Sequence, residues 1–268
     1  MKIAFIGGGN IGEAIIGALL HKKLAKPADF TVSDIAEARR DYLIEKYNVA
    51  VTASNKEAAK GKDIIVLAVK PQQMNDALAD LKPAIKPAQL VLSIAAGVTI
   101  DTIAKGLAHD KVVRSMPNTP AQLGQGMTGW TATEAVTGEQ KELAAKILGA
   151  MGKEIYFKDE SSLDMVTAVS GSGPAYFYLF AESLIDAAVA IGLSKQDAEI
   201  LVKQTMLGAA QLVNQSDKDP AELRRNVTSK GGTTEQAIKI FEERSLFKIT
   251  EEAIKAAWRR AVELGKAS

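Results

Sequence analysis

Residues 2–20, KIAFIGGGNIGEAIIGALL, place a short apolar run directly before three glycines and a helical pattern. The run Lys2–Ile6 predicts a strand, and after Asn10 the apolar residues recur at the spacing of one helix face. Between them, Gly7, Gly9 and Gly12 match the G-x-G-x-x-G pattern of dinucleotide-binding βαβ units. The first glycine allows a tight turn, the second lets backbone approach the pyrophosphate, and the third lets helix and strand pack closely. A plain glycine turn is the alternative, but the flanking strand and helix favour a dinucleotide site made by Ile6, Gly7, Gly8, Gly9, Asn10, Ile11 and Gly12.

Strand and helix signals alternate through the first 160 residues. Strands are predicted at 30–33, 63–69, 89–94, 112–116, 126–131 and 154–157, and helical stretches lie near 36–46, 54–60, 72–82, 99–106 and 138–150. The continuous runs at 63–69 and 89–94 are typical of parallel strands that are covered on both faces. We therefore predict an α/β fold in which residues 1–160 form an N-terminal Rossmann-type doubly wound sheet.

Strand signals stop near Ser161, and helices are predicted over 175–191, 195–214, 233–243 and 248–264. The segment 175–191, AYFYLFAESLIDAAVAI, is apolar nearly all round and is interrupted mainly by Glu182 and Asp186. A helix that is apolar on every side has to be buried on every side, so we expect a partner subunit to cover it. Residues 161–268 are thus predicted to form an all-α C-terminal dimerisation domain.

The composition excludes several classes of function. The chain has 268 residues, 47% of them hydrophobic, and a net charge of +1, so it has no overall positive field that would attract nucleic acid or an anionic membrane. It has no cysteine, and its two histidines, His21 and His109, lie far apart and are interpreted as surface residues, so no metal site is predicted. The beginning, MKIAFIGGG, does not have the pattern of a signal peptide, and no run approaches a membrane span, which predicts a cytoplasmic protein.

The choice between NADH and NADPH depends on the end of the second strand. Asp34 follows the glycines by about 20 residues, where an acid binds the ribose 2′-hydroxyl of NAD. Ser33 beside it, and Arg39 and Arg40 after it, suit a 2′-phosphate, although the arginines also fit the solvated face of a helix. Both cofactors remain open at this point.

Two more loops follow strands whose carboxyl ends should border the cofactor. Pro71 disfavours helix at the residue before it, so the chain has to turn there. Small residues at 95–97 let backbone approach a bound ring, although either loop also fits an ordinary strand-to-helix connection. The predicted cofactor residues of these loops are Ala68, Val69, Lys70, Pro71, Ala95, Ala96 and Gly97. Lys70 and also Asn118 are predicted to lie near the nicotinamide, with a turn residue as the alternative for each.

Residues 227–238, VTSKGGTTEQAI, place hydroxyl residues and a glycine pair before another helical pattern. A surface linker has this composition. A cradle for a small anion has it too, because the first N–H groups of a helix lack partners and are collectively positive. The composition alone leaves both interpretations open.

Six segments, taken in order, resemble the pyrroline-5-carboxylate reductase family of proline biosynthesis. They are 6–12 (IGGGNIG), 68–72 (AVKPQ), 93–97 (SIAAG), 116–120 (MPNTP), 170–175 (SGSGPA) and 228–234 (TSKGGTT), of which the last is the most diagnostic. The resemblance runs through both predicted domains. It implies an oxidoreductase that reduces the cyclic imine 1-pyrroline-5-carboxylate to L-proline with NADPH or NADH. It also implies homodimers with interlocked C-terminal helices, often assembled into decamers, in which the partner subunit completes each active site.

The resemblance assigns roles to residues of the last segment by matching position. Thr234 falls on the threonine that hydrogen-bonds the imine nitrogen and assists its protonation, as the catalytic residue. Ser229, Gly232 and Thr233 fall on the loop that holds the substrate carboxylate, and Val227 lines the same pocket.

With these roles the segment is interpreted as a cradle, not a linker. Gly231 and Gly232 allow close backbone approach, and the N–H groups from Gly232 to Glu235 are expected to be free for the carboxylate. Lys230 stands where the family usually has proline, which puts the rigidity of the loop in question. In the first domain, Asn55 falls on the asparagine near the adenosine ribose.

Three rival functions have to be separated from this one. A hydroxyacid dehydrogenase of the same two-domain plan uses a lysine on the long helix, but between Asp159 and Ser194 this chain has neither lysine nor arginine. Another imine reductase would keep the dinucleotide site and differ in its substrate. A non-catalytic dinucleotide-sensing dimer would keep the glycine loop without needing the cradle or Thr234.

Overall fold

One sheet of eight strands runs through the first part of the computed structural model, which describes residues 1–266. Its strands are β1 (Ile3–Ile6), β2 (Phe30–Ser33), β3 (Ala50–Thr52), β4 (Ile64–Leu67), β5 (Leu90–Ser93), β6 (Val112–Met116), β7 (Gly126–Ala132) and β8 (Gly152–Tyr156). They lie in the order β3-β2-β1-β4-β5-β6-β7-β8. The chain order reverses between β1 and β4, which is where open α/β sheets bind their ligands.

The helices between residues 1 and 266 follow the strands in alternation and then continue alone. Those that accompany the sheet are α1 (Asn10–His21), α2 (Glu37–Tyr47), α3 (Asn55–Ala59), α4 (Met74–Leu81), α5 (Ile100–Leu107), α6 (Gly138–Gly149) and α7 (Ser162–Val166). The later helices are α8 (Gly173–Ala190), α9 (Lys195–Gln215), α10 (Pro220–Asn226), α11 (Thr233–Glu243) and α12 (Leu246–Lys266). Within the described residues no strand follows β8, as the sequence predicts.

Helices cover both faces of the sheet because its central strands are apolar on both sides. Successive side chains of a strand point to opposite faces. Ile3 and Phe5 of β1 therefore pack in a cluster with residues of α1, α2 and α6, whereas Ala4 and Ile6 pack with residues of α3, α4 and α5. All four are fully buried. The predicted Rossmann-type doubly wound fold is confirmed.

The chain divides into two compact units. The first comprises Met1–Ser172 together with residues 256–266, and the second comprises Gly173–Lys255. In the first unit, α7 contacts β6 and β7, so residues just beyond the predicted boundary at 160 pack with the sheet. The division at 160 and 161 stays a prediction about domains.

Several elements differ from the sequence expectations. β3, α7 and α10 have three, five and seven residues, which is too short for a hydrophobic period to be read. β7 runs antiparallel to β6, so the sheet is not parallel throughout. His109 is buried rather than exposed, and its Nε2 lies 2.8 Å from the Gln89 carbonyl oxygen, which satisfies the buried ring; the surface assignment was wrong.

The second unit leaves much apolar surface exposed. In α8, the side chains of Phe177, Tyr178 and Leu179 are 66%, 61% and 67% exposed. The described residues 1–266 thus do not cover the helix that the sequence predicts to need a partner. No helix within residues 1–266 has the length and apolar character needed to cross a bilayer.

A buried arginine ties the sheet to the segment that follows it. Arg114 in β6 is 5% exposed. Its guanidinium lies 2.7 Å from a Glu160 carboxylate oxygen and 3.7 Å from one of Asp164. The same Glu160 oxygen accepts the Ile100 N–H at 2.8 Å. Arg114 therefore links β6, the start of α5 and the segment leading into α7.

Replacing Arg114 by methionine is expected to lower the free energy of unfolding by about 2–4 kcal/mol, because two partly buried carboxylates lose their cation. Urea denaturation of both proteins measures this difference. Lys105→Met is the matched control, since it removes an ion pair with Asp101 in which both side chains are exposed, and it should cost under about 1 kcal/mol. Equal losses in the two variants would contradict a structural role for Arg114.

Candidate dinucleotide and anion sites

The turn between β1 and α1 has the backbone that the glycine pattern predicts. Gly7 has φ +95°, and a Cβ there would lie 2.8 Å from the Ala68 carbonyl oxygen. A Cβ on Gly12 would lie 3.2 Å from the Gly7 carbonyl oxygen and 3.3 Å from Ala68 Cβ, so the close packing of the helix on the turn requires glycine there. Among the described residues, a Cβ on Gly9 would have only the Ala68 carbonyl oxygen within 4 Å, at 3.9 Å. The space over Gly9 is therefore open to a ligand.

Unpaired backbone donors surround that open space. No acceptor within residues 1–266 receives the N–H groups of Gly9, Asn10, Ile11 or Gly12, and Gly9 provides no side-chain cap. The first amide that closes the helix is that of Glu13, which donates to the Gly9 carbonyl at 2.8 Å. A helix start with free amides attracts anions, so this one fits a pyrophosphate.

The end of β2 holds residues that were predicted to choose the cofactor. Ser33 is buried, and its hydroxyl donates to Asn55 Oδ1 at 2.7 Å, so the Ser33 side chain points into the protein. Asp34 accepts the Gly8 N–H at 2.9 Å with one carboxylate oxygen and the Ala36 N–H at 2.9 Å with the other. Asp34 therefore lies against the glycine turn, while Asn55 is reached through Ser33.

The two arginines of α2 differ in what they bind. Arg39 donates from Nε to the Gly8 carbonyl and pairs with Glu13, so both ends of its guanidinium have partners. The Arg40 guanidinium donates to the carbonyl of Asp34 at 2.7 Å, which places it next to the end of β2. Neither arginine is simply a solvated surface residue.

Two further loops, after β4 and β5, lie at the same edge of the sheet as the glycine turn. The Ala68 N–H donates to the Ile6 carbonyl at 2.8 Å, which holds the first loop beside β1. Lys70 has φ −64° and ψ 149°, so the chain does turn before Pro71 as predicted. In the second loop Gly97 has φ +73°. Contacts of Val69, Ala95 and Ala96 with a cofactor stay predictions.

Asn118 uses both ends of its side-chain amide inside the protein. Its Nδ2 donates to the Ser170 carbonyl at 3.0 Å, and its Oδ1 accepts the Met127 N–H at 2.9 Å. These bonds hold the turn after β6 against β7 and the segment that precedes α8. They favour the turn-residue interpretation, and a contact with nicotinamide stays a prediction.

The segment 227–235 in the second unit contains a tight turn followed by the start of α11. The Gly232 N–H donates to the Ser229 carbonyl at 3.0 Å, and Gly231 has φ +76°. The expectation that free amides begin at Gly232 is therefore wrong, because the turn uses that amide. Within residues 1–266, the N–H groups of Thr233, Thr234 and Glu235 have no acceptor, and no side chain caps the helix.

The sequence interpretation missed a second role of Glu235. Its carboxylate accepts the Gly231 N–H at 2.7 Å and so stabilises the turn from the helix side. An acid at the third helix position is a known sign of such reverse capping, which could have indicated it. Ser229 Oγ would lie 2.6 Å from a Cβ on Gly232, so Gly232 gives the serine its place over the helix start. Val227, at the end of α10, is 66% exposed.

The departure at Lys230 is explained by the turn. Residues 229–232 form a four-residue turn with a positive φ at the third position, as in a type II turn. Lys230 occupies the second position, where proline is favoured because its ring sets φ near −65°. Gly231 and the closing hydrogen bond keep the turn in this chain without it.

Lys230→Pro is therefore expected to raise the free energy of unfolding by about 0.4–1 kcal/mol, since it restricts only the unfolded chain. The Lys230 N–H has no acceptor within residues 1–266, so none is lost. Thermal and urea unfolding would detect the gain, and Lys230→Ala separates it from the loss of charge. A destabilised proline variant would mean that the turn is not of this type.

Comparisons with known proteins cover nearly the whole chain. A family model described as pyrroline-5-carboxylate reductase dimerisation matches residues 160–264. A second model, described as NADP oxidoreductase, coenzyme F420-dependent, matches residues 2–97. The two matches coincide with the helical part and with the glycine turn and first strands.

Individual relatives are similar over their full lengths. The pyrroline-5-carboxylate reductase of Pseudomonas aeruginosa is 44% identical over 99% of this chain and 97% of its own. A solved structure of the enzyme from Coxiella burnetii has a TM-score of 0.92 and 41% identity, covering 98% of each chain. The Plasmodium falciparum pyrroline carboxylate reductase, solved with NADP bound, has a TM-score of 0.87 and 31% identity, covering 99% of this chain and 98% of its own.

Proposed function

The chain belongs to the pyrroline-5-carboxylate reductase family, and from that membership we propose that it reduces 1-pyrroline-5-carboxylate to L-proline with NADPH. It is thus an oxidoreductase acting on a C=N bond in the last step of proline biosynthesis. The observation that carries the proposal is the start of α11, where three amides and two hydroxyl side chains lie together and no group within residues 1–266 accepts from those amides. A dinucleotide sensor has no need of such a cradle.

The substrate carboxylate is assigned to the N–H groups of Thr233, Thr234 and Glu235. Charge-assisted hydrogen bonds to a carboxylate are about twice as strong as neutral ones, so they suffice to fix one end of a small ring. Ser229 adds a hydroxyl from the turn, and Val227 adds an exposed apolar side chain beside it.

Thr234 is assigned to the imine nitrogen. An alcohol is a weak acid, so its hydroxyl would orient the protonated imine and relay a proton from water rather than supply one alone. The dinucleotide supplies the hydride, and the protein contributes position and electrostatics. Holding the ring in a productive geometry can account for roughly 7–11 kcal/mol of the barrier in favourable cases.

The residues around the β1–α1 turn fit a dinucleotide. The open space over Gly9 and the free amides from Gly9 to Gly12 would hold the pyrophosphate. Ser33 is buried and Arg39 is bonded to Gly8, which leaves Arg40 as the best-placed cation for a 2′-phosphate.

Arg40→Met should therefore raise the KM for NADPH by about tenfold, because one charge-assisted hydrogen bond to the 2′-phosphate is lost. The KM for NADH should be unchanged. Steady-state kinetics with both dinucleotides measures this. A wild-type preference for NADH would indicate that Asp34 determines the cofactor instead. An equal rise in the KM for both dinucleotides would show that Arg40 does not distinguish them.

The function itself is tested by following NADPH and NADH oxidation optically with added 1-pyrroline-5-carboxylate. Turnover to L-proline, identified by amino-acid analysis, is the expected result. No turnover with either dinucleotide would favour the sensor. Turnover of other cyclic imines but not of this one would indicate a different imine reductase, and turnover of 2-hydroxy acids would indicate the dehydrogenase.

A homodimer with interlocked C-terminal helices is part of the proposal, with a decamer as its larger assembly. Support comes from the exposed apolar side chains of α8 and from the matched dimerisation model over residues 160–264. Light scattering after size exclusion distinguishes dimer, decamer and monomer, and a stable monomer would contradict it. A cytoplasmic location, as expected from the sequence, also belongs to the proposal.

A further inference from the structure

Glu13, in the first turn of α1, is the centre of a polar cluster that no proposed catalytic step uses. One carboxylate oxygen accepts from Tyr42 at 2.9 Å, Lys46 at 2.9 Å and Tyr47 at 3.0 Å, and the other pairs with Arg39. Burial alone would raise the pKa of Glu13, but these hydrogen bonds outweigh it and lower that pKa to about 2. Glu13 is therefore ionised and fully paired at physiological pH.

Arg39 connects this cluster to the glycine turn. Its Nη2 pairs with Glu13, its Nε donates to the Gly8 carbonyl, and its guanidinium lies 4.8 Å from the centre of the Tyr42 ring. Because three contacts hold the guanidinium, it has one orientation available. The Arg39 side chain thus fixes the backbone of the glycine turn relative to α2.

Gly8 is held from both of its backbone groups. Its N–H donates to Asp34 at 2.9 Å while its carbonyl accepts from Arg39. A Cβ on Gly8 would lie 2.7 Å from Leu43 Cδ1, so the residue also has no room to shift toward α2. These contacts determine the direction of the Gly8 carbonyl.

The direction of that carbonyl determines the direction of the next amide. A peptide unit is planar and trans, so the Gly9 N–H points away from the side to which the Gly8 carbonyl points. The Gly9 N–H has no acceptor within residues 1–266, and the space over Gly9 is open. Arg39 therefore turns this amide away from itself and leaves it free for a ligand.

The cluster also removes an unfavourable charge. A lone carboxylate in the first turn of α1 would oppose an anion bound at the same helix start. Pairing with Arg39 and Lys46 neutralises Glu13, whose side chain is 15% exposed. The helix start keeps its attraction for phosphate although an acid lies in its first turn.

We propose that Glu13 and Arg39 are positioning residues of the dinucleotide site, which hold the Gly8–Gly9 peptide in the orientation that binds the pyrophosphate. The inference rests on the proposed function in assuming that a dinucleotide binds there. It differs from a role of Arg39 in binding the 2′-phosphate, because a pyrophosphate is common to NADPH and NADH.

The test measures dinucleotide binding by the quenching of protein fluorescence. It compares wild type, Arg39→Met, Glu13→Gln and the double variant. Arg39→Met should raise the Kd of NADPH and of NADH by the same factor, about tenfold. The double variant should lose little more than Arg39→Met, because Glu13 acts through Arg39. The kcat at saturating dinucleotide and the KM for the imine should stay close to wild type. Lys105→Met, an exposed change, is the control.

Inhibition by 2′-AMP separates positioning from direct phosphate binding, since 2′-AMP has the 2′-phosphate and no pyrophosphate. Its inhibition constant should be the same in wild type and Arg39→Met. Weaker inhibition by 2′-AMP, or a loss confined to NADPH, would overturn the inference. Unchanged Kd values in Arg39→Met would overturn it too, and if that variant does not fold, unchanged values in Glu13→Gln would do so. Wild-type protein that binds neither dinucleotide would contradict the proposed function itself.

Discussion

Thr233→Pro is expected to raise the KM for 1-pyrroline-5-carboxylate by about 10–100-fold while kcat falls much less. Proline removes one of the three free amides at the start of α11 and leaves the helix intact. A charge-assisted hydrogen bond contributes about 1.5–3 kcal/mol, which corresponds to this factor. Steady-state kinetics at saturating NADPH measures both parameters.

The backbone at this position accepts proline. The residue before a proline has to be extended, and Gly232 has φ −83° and ψ 169°. Thr233→Ala is the matched control, because it removes the hydroxyl and keeps the amide. If the alanine and proline variants have the same KM, the amide of Thr233 does not bind the substrate.

Thr234→Ala is expected to lower kcat by about 10²-fold without abolishing turnover, the low end of what a positioned proton donor contributes. The remaining activity comes from the amides and from protonation of the imine in solution. The expected loss should shrink as the pH falls, because more of the imine then arrives protonated. A pH profile of kcat at saturating substrate measures both effects.

The control for this second change is Thr234→Ser, which keeps the hydroxyl and loses only a methyl group. It should retain most of the activity of wild type. A Thr234→Ala variant with unchanged turnover would remove the hydroxyl from the mechanism. Equal losses in the alanine and serine variants would indicate that the methyl group, and thus packing, matters instead.

The dinucleotide turn was predictable because its determinants are local. A strand, a glycine with positive φ and a helix start follow one another within residues 3–12, so each can be predicted from adjacent residues. The same holds for α11, whose predicted range 233–243 agrees with the structure. The spacing of apolar residues also located the other long helices and strands.

The partners of polar side chains were not predictable in this way. Glu13 and Arg39 are 26 residues apart, and Arg114 and Glu160 are 46 apart, so nothing in their sequence neighbourhoods indicates the pairing. Ser33 and Arg39 were weighed as phosphate ligands, yet folding assigns them to Asn55 and Gly8. The amide of Gly232 was expected to be free, but a turn with Ser229 uses it.

The sequence by itself determined the two-part plan, the glycine turn and the helix start at Thr233, since backbone conformation and hydrophobic period depend on adjacent residues. Only the tertiary structure decided which donors stay free for ligands and which side chains are used within the protein. The physical reason is that a buried polar group has to find a partner, and that partner is whatever the packing of distant segments brings within about 3 Å.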